Sequence, residues 1–189
     1  MFPTGHITYT FGGLALLQAR GWMPPDVDYR LAALVAVAPD MVDKPLSLLV
    51  FTDSQTTQGL CHTLIVHLAV TALVLVFARR FWPYAVVFNF HLVCDQIWRY
   101  PRTMLWPLLG PGFEPWKPIE GLEGFLAAYA EIAMMPEMLT LELIGLAMLA
   151  VLVVSRRLYR PARLAAFLRT GHLPGNGCPQ STLEGVPCA

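Results

Sequence analysis

Histidines and aspartates are the residues with which this chain can do chemistry. His91 and Asp95 stand four apart in the apolar stretch Asn89-Phe-His-Leu-Val-Cys-Asp-Gln-Ile-Trp98. On a helix that spacing stacks both side chains on one face. An imidazole and a carboxylate so placed make half of a metal site, as the two histidines of H-E-x-x-H do. The same pair would also serve as a hydrogen-bonded clasp that steadies helix packing. Upstream lie His6, Asp40, Asp43, His62 and His67, so four of the five histidines fall in the first half of the chain.

Pro39-Asp40-Met-Val-Asp43 sets two carboxylates three apart between Pro39 and Pro45. Paired prolines imply an interrupted helix, and irregular backbone at membrane depth must be buried or line a cavity. The alternative is an aspartate that caps the next helix. Gln58-Gly-Leu-Cys-His62-Thr63 opens a long apolar run, so His62 is either a site residue or an interfacial histidine. His67 is five residues on, about 140° round a helix, which suits support or packing better than ligation of the same ion. Arg99 and Arg102 follow Asp95 directly. Two arginines beside an anionic pocket suit phosphate recognition; anchoring to lipid headgroups would explain them equally. Glu131 and Glu142 form a weaker acidic pair. Three histidines and two aspartates exceed the three protein ligands of a catalytic zinc. Two ions bridged by a carboxylate would use all five, and such pairs clamp the oxygens of a phosphoryl displacement.

These residues need elements to hold them, and the composition says where those elements are. The chain has 189 residues, 56% of them hydrophobic and only 14% charged, with a net charge of +0. Soluble domains carry roughly 25% charged residues, so the expectation is an all-α, polytopic transmembrane helical bundle. Neutrality argues against a nucleic-acid partner. Cys61, Cys94, Cys178 and Cys188 form no C-x-x-C pair, and no disulfide framework or zinc ribbon follows. No basic segment precedes the first apolar run, so no signal peptide is expected. Apolar spans are expected at 7–19, 29–51 (broken at the prolines), 61–78, 81–98 and 138–154, about five crossings. Residues 119–136 would lie along the interface. Residues 1–170 would form one membrane-embedded domain and 171–189 a flexible cytoplasmic tail.

Arg20, Arg30, Arg79, Arg80, Arg156, Arg157, Arg160, Arg163 and Arg169 fall at one set of span ends; Lys44, Arg99, Arg102 and Lys117 fall at the other. The positive-inside rule puts the arginine-rich side in the cytoplasm, the N-terminus outside and the C-terminus inside. Counted from the cytoplasmic ends, Asp40 stands roughly 15–18 Å up, His91 12–15 Å, Asp95 18–22 Å, His6 about 21 Å and His62 about 25 Å. Carboxylates at that depth cost a few kcal/mol unless paired, coordinated or hydrated, so their convergence marks a site.

The ordered set His6, Pro39-Asp40-x-x-Asp43-Lys-Pro, Gly59-x-x-His62-Thr, His91-x-x-x-Asp95 and Trp106-Pro107 resembles the YdjM-like, LexA-regulated inner-membrane metal-dependent hydrolases over roughly residues 1–110. That family often has Arg-Gly and His-Ser where this chain has Gln58-Gly59 and His62-Thr63, and its Pro-Asp-x-Asp is one residue shorter. The order of ligand types is also similar to the zinc site of secreted bacterial phospholipases C and related single-strand nucleases. The resemblance implies a bacterial inner-membrane enzyme with zinc or another divalent metal, one or two ions. It implies His6, Asp40, His62, His91 and Asp95 as ligands, with Asp40 or Asp95 bridging.

The expected function is hydrolysis of a phosphoester in a lipid or lipid-linked substrate, with Asp43 taking a proton and Arg99 and Arg102 binding phosphate. A non-enzymatic metal or haem binder, or a structural membrane protein, is the alternative. The orientation is directly checkable. On a background without native cysteines, single cysteines in residues 53–59 should label from outside intact cells and one at Ala189 should not. Protected loop positions with a labelled tail would reverse the topology.

Overall fold

A computed structural model describes residues 1–50, 56–115 and 121–175. Every regular element among them is helical. The helices are α1 (Pro3–Ala19), α2 (Tyr29–Leu49), α3 (Leu64–Phe77), α4 (Trp82–Cys94), the short α5 (Pro101–Met104), α6 (Gly121–Ala133), α7 (Pro136–Ser155) and α8 (Pro161–Thr170). Single 3₁₀ turns stand at Leu60–His62, Arg79–Phe81 and Ile97–Arg99. The starts are written in the sequence. Proline sits in the first turn of α1, α4, α5, α7 and α8, where its missing N–H costs no hydrogen bond. Asp28 caps α2 by accepting from the Arg30 backbone N–H at 2.8 Å.

The helix α1 lies at the centre, against α7 on one side and α2 and α4 on the other, while α3 pairs with α4. Small residues let α1 and α7 approach closely. A Cβ on Gly145 would overlap the Thr8 hydroxyl, and one on Gly12 would overlap Met148. Tyr9 adds a hydrogen bond to the Leu141 carbonyl at 3.0 Å. Glu142 accepts from the Phe2 backbone N–H at 3.1 Å, so this half-buried acid caps the start of α1.

The arginine-bearing ends gather at one end of the bundle. Leu14, Met23, Val27, Tyr29, Ala32, Ala36, Val87, Leu158 and Phe167 form a continuous apolar core there. The Arg30 guanidinium donates to the last carbonyls of α8, including Arg169 O at 2.8 Å, and the Asp28 N–H donates to the Tyr84 hydroxyl at 2.9 Å. Hydrogen bonds from the Arg30 side chain also hold the Asp28 carboxyl down at about 2. The polar candidates lie towards the opposite ends of the same helices.

Two expectations change. Pro39 and Pro45 do not interrupt α2, which runs unbroken through both. A proline removes one backbone donor and loosens the turn before it. His91 donates to the Ala36 carbonyl in the same stretch at 2.7 Å, while the carbonyl that loses its helical donor to Pro39 is that of Val35. Among the described residues only Pro136–Ser155 is long and apolar enough to cross a bilayer by length and composition; Leu64–Phe77 is apolar but has 14 residues. The helices α1 and α4 are also short, at 17 and 13 residues, and α2, long enough at 21, carries Arg30, Asp40, Asp43 and Lys44. Residues 53–55, 116–120 and 176–189, which hold parts of the expected outer loop, interfacial segment and tail, lie outside the described residues.

Large apolar side chains point outward along α3 and α7, with Leu68, Leu73, Val76, Leu143, Ile144 and Val151 exposed. Soluble monomers rarely expose so continuous an apolar surface. The small-residue seam gives a stability test. Gly145→Leu should cost roughly 1–3 kcal/mol by overpacking α1 on α7. Gly13→Ala, whose Cβ meets nothing within 4 Å, should gain up to about 1 kcal/mol of helix propensity. Thermal unfolding in one detergent measures both; equal shifts would contradict the seam.

Candidate metal centre

Three elements bring four of the candidate ligands together. Asp40 comes from the middle of α2, His62 from the 3₁₀ turn before α3, His91 from α4, and Asp95 from the residue that ends α4. One donor atom from each lies within 4.8 Å of every other. His62 Nε2 is 3.1 Å from His91 Nε2, 3.3 Å from Asp95 Oδ2 and 3.5 Å from Asp40 Oδ1. His91 Nε2 is 3.5 Å from Asp95 Oδ2. Ligands about 2.0–2.2 Å from one tetrahedral ion stand roughly 3.3–3.6 Å apart, so these edges fit a divalent cation.

The far nitrogens of the two imidazoles sharpen the case. His62 Nδ1 meets Asp43 Oδ2 at 2.7 Å, and His91 Nδ1 meets the Ala36 carbonyl at 2.7 Å. Carboxylates and carbonyls only accept, so both Nδ1 atoms carry a proton. In the neutral rings both Nε2 atoms then present lone pairs, and these face each other. A metal ion between them satisfies both at once. The outer hydrogen bonds are those that hold a ligating histidine in its tautomer.

Asp43 is the anchor of this arrangement. Its carboxylate accepts from the Gly59 N–H at 2.9 Å, the Cys61 N–H at 3.1 Å and His62 Nδ1. The sequence reading gave it the role of proton acceptor. The structure instead turns its oxygens toward these three donors, behind His62. His67 supports the same turn: Nε2 meets the Cys61 carbonyl at 2.9 Å and the ring stacks on Phe88.

His6 stands slightly apart. Its ring stacks on His91, centroids 4.1 Å apart. Nε2 lies 3.1 Å from Asp95 Oδ1 and 3.8 Å from Asp40 Oδ2, but without the angle of a hydrogen bond, and neither ring nitrogen has a hydrogen-bond partner. A buried imidazole with both nitrogens unmatched is costly. Each aspartate therefore turns one oxygen to the His62–His91 pair and the other toward His6. Those second oxygens meet ammonium groups, Lys44 Nζ on Asp40 and the Met1 α-amino nitrogen on Asp95, each at 2.6 Å. Asp95 also sits at the C-terminal end of α4, where the helix dipole opposes a carboxylate. The cluster is built to hold positive charge.

A cavity of about 220 Å³ reaches the cluster, its wall running from Asp40 and Asp95 past Gln58, Tyr100 and Tyr129 to Arg99 and Glu137. Arg99 pairs with Glu137 at 2.8 Å with both side chains more than half exposed. Arg102 is exposed and does not line the cavity. Sequence reasoning missed three cavity residues. Gln58 reaches Asp95 Oδ2 at 3.3 Å; its place just before Gly59 and His62 was the available signal. Lys44 follows Asp40 by four residues, a spacing that puts both on one helix face. Tyr129 gave no signal, because it arrives from α6 by tertiary packing.

A family model described as "YdjM inner membrane protein" matches residues 1–162, and the chain belongs to that family. No curated protein and no solved structure matches it.

Removing a donor should remove the ion. Protein purified without chelator should carry stoichiometric divalent metal by elemental analysis, and His91→Ala or Asp95→Ala should lose at least one equivalent. Asp43→Asn should weaken metal affinity about 10–100-fold, the usual loss when an outer partner of a ligand goes. Wild-type protein without metal, or an Asp43→Asn variant that binds as tightly, would count against the site.

Proposed function

We propose that this YdjM-family inner-membrane protein is a metal-dependent hydrolase that cleaves a phosphoester of a lipid or lipid-linked substrate, using zinc or a similar divalent cation. The observation that carries the reading is the convergence of four donor atoms, His62 Nε2 and His91 Nε2 3.1 Å apart with the carboxylates of Asp40 and Asp95 beside them, at the wall of a cavity that also contains Arg99. Asp40, His62, His91 and Asp95 would hold one ion. His6, with the second oxygens of Asp40 and Asp95, would serve another. When bound, such ions supply Lewis-acid activation of water and of a phosphoryl group.

The remaining residues prepare the site. Asp43 fixes the His62 tautomer through Nδ1 and acts as a positioning residue. The burial of Asp40, His62 and His91 keeps their environment poorly hydrated, which strengthens every charge interaction there. Arg99 binds the phosphate at the mouth of the cavity. Its present pair with Glu137 is exposed and worth about 0–1 kcal/mol, so an arriving phosphate displaces Glu137 at little cost. Arg102 remains on the surface as a headgroup contact.

In this reading the chain crosses the membrane five times, with the arginine-bearing end of the bundle in the cytoplasm and the metal centre in the outer half of the bilayer. A substrate that enters from the side would carry its apolar chain in the membrane. A structural role for the polar cluster is less satisfactory, because it leaves both His6 nitrogens unmatched.

The assay presents phospholipids and polyprenyl phosphates in mixed micelles to metal-loaded wild type and to Asp95→Ala. Wild type should release phosphate or phospho-headgroup and the variant should not. Arg99→Ala should raise KM more than it lowers kcat, the pattern of an interaction made equally in ground and transition states. No release from wild type with metal confirmed would remove phosphoester hydrolysis.

A further inference from the structure

Beside the cavity at the metal centre lies a larger hollow of about 700 Å³ between α2 and α6. Its walls include Val37, Met41, Leu48, Leu122 and Phe125, and its only ionisable lining residues are Asp40, Lys44 and Tyr129. The same three residues line the smaller, polar cavity. The two spaces therefore share a wall, where Lys44 Nζ stands 2.6 Å from Asp40 Oδ2 and 5.1 Å from the centre of the Tyr129 ring.

We propose that the groove seats the acyl chain of the substrate and that Lys44, beside the Tyr129 ring, receives the phosphate where chain meets headgroup. This rests on the lipid-phosphoester reading above and names what recognises each half of that molecule. Three observations choose the occupant. From Val37 to Leu49 the groove follows α2 for roughly 18 Å, and Lys44 stands about 10 Å from its Val37 end, so a chain anchored at Lys44 lies along that arm. A single cation in an apolar groove complements an amphiphile that carries one anionic group. The polar cavity beyond Lys44 leads on to Asp40 and Asp95, so a phosphate held there lies beside the metal centre.

Lys44 suits the task better than the arginines. Its side chain is only 17% exposed, against 54% for Arg99, so a phosphate there would be bound away from bulk water. Its flexible four-carbon stem lets the ammonium swing from Asp40 to an incoming phosphate.

The test is photolabelling in lipid nanodiscs. One probe is a phosphatidylglycerol with a diazirine on its acyl chain; the other is a diacylglycerol with the same diazirine and no phosphate. The phospholipid label should concentrate on Val37, Met41, Leu48 and Phe125, and the diacylglycerol label should fall on the outer faces of α3 and α7. Lys44→Met should cut groove labelling by the phospholipid roughly tenfold, the loss of about 1.4 kcal/mol of binding, and Lys44→Arg should retain most of it. Should Lys44→Met fail to fold, Met41→Trp, at an exposed position, should fill the groove and expel the label, whereas Leu73→Trp on α3 should not. Phospholipid labelling as dense on Leu68, Leu73 and Val151 as in the groove overturns the proposal, and so does labelling indifferent to Lys44→Met. Selective labelling by a protein that hydrolyses no phospholipid would leave the groove standing and remove the hydrolase reading. Hydrolysis with unselective labelling would do the reverse.

Discussion

Two protons on the outer nitrogens of two histidines govern this structure. The Asp43 carboxylate accepts a hydrogen bond from His62 Nδ1 and the Ala36 carbonyl accepts one from His91 Nδ1. Each bond is ordinary. Together they point two lone pairs at one spot, 3.1 Å apart, and Asp40 and Asp95 close around the same spot. An arrangement with four converging electron donors is stable only when positive charge sits among them. The two nearby ammonium groups on the outer carboxylate oxygens follow the same demand.

The fold serves that constraint at some expense to its membrane segments. The helix α2 accepts two prolines and four charged residues, and keeps its course through both prolines. The α4 helix ends at Asp95, with Gln96 in a left-handed conformation (φ 51°), so the carboxylate sits at the helix end and not in its apolar middle. Glycines on α1 and α7 draw these helices together, and the packing of α1 on α4 sets His6 over His91. The apolar outer faces of α3 and α7, which bear none of the proposed ligands, supply much of the lipid-like exterior.

Much of the site could be read from the sequence because its pieces have local signatures. The four-residue spacing of His91 and Asp95 shows a shared helix face, and Asp40 and His62 stand out as polar residues in apolar runs. What could not be read depends on contacts between distant segments. Asp43 looked like a free base until the backbone of Gly59 and Cys61 folded over it. Two prolines predicted a break, yet α2 runs through both. Tyr129 reaches the cavity only because α6 lies beside α2. Hydropathy failed in part for a related reason: helices that carry a buried polar site lose the uniform apolar length by which spans are recognised.

X-ray absorption on the detergent-purified, metal-loaded protein tests the central claim most directly. The account predicts a shell of nitrogen and oxygen donors at about 2.0–2.1 Å, with the outer scattering of at least two imidazoles, and loss of one imidazole in His62→Ala. A shell with sulfur at about 2.3 Å, from Cys61 or Cys94, or an absorber without imidazole scattering, would contradict it.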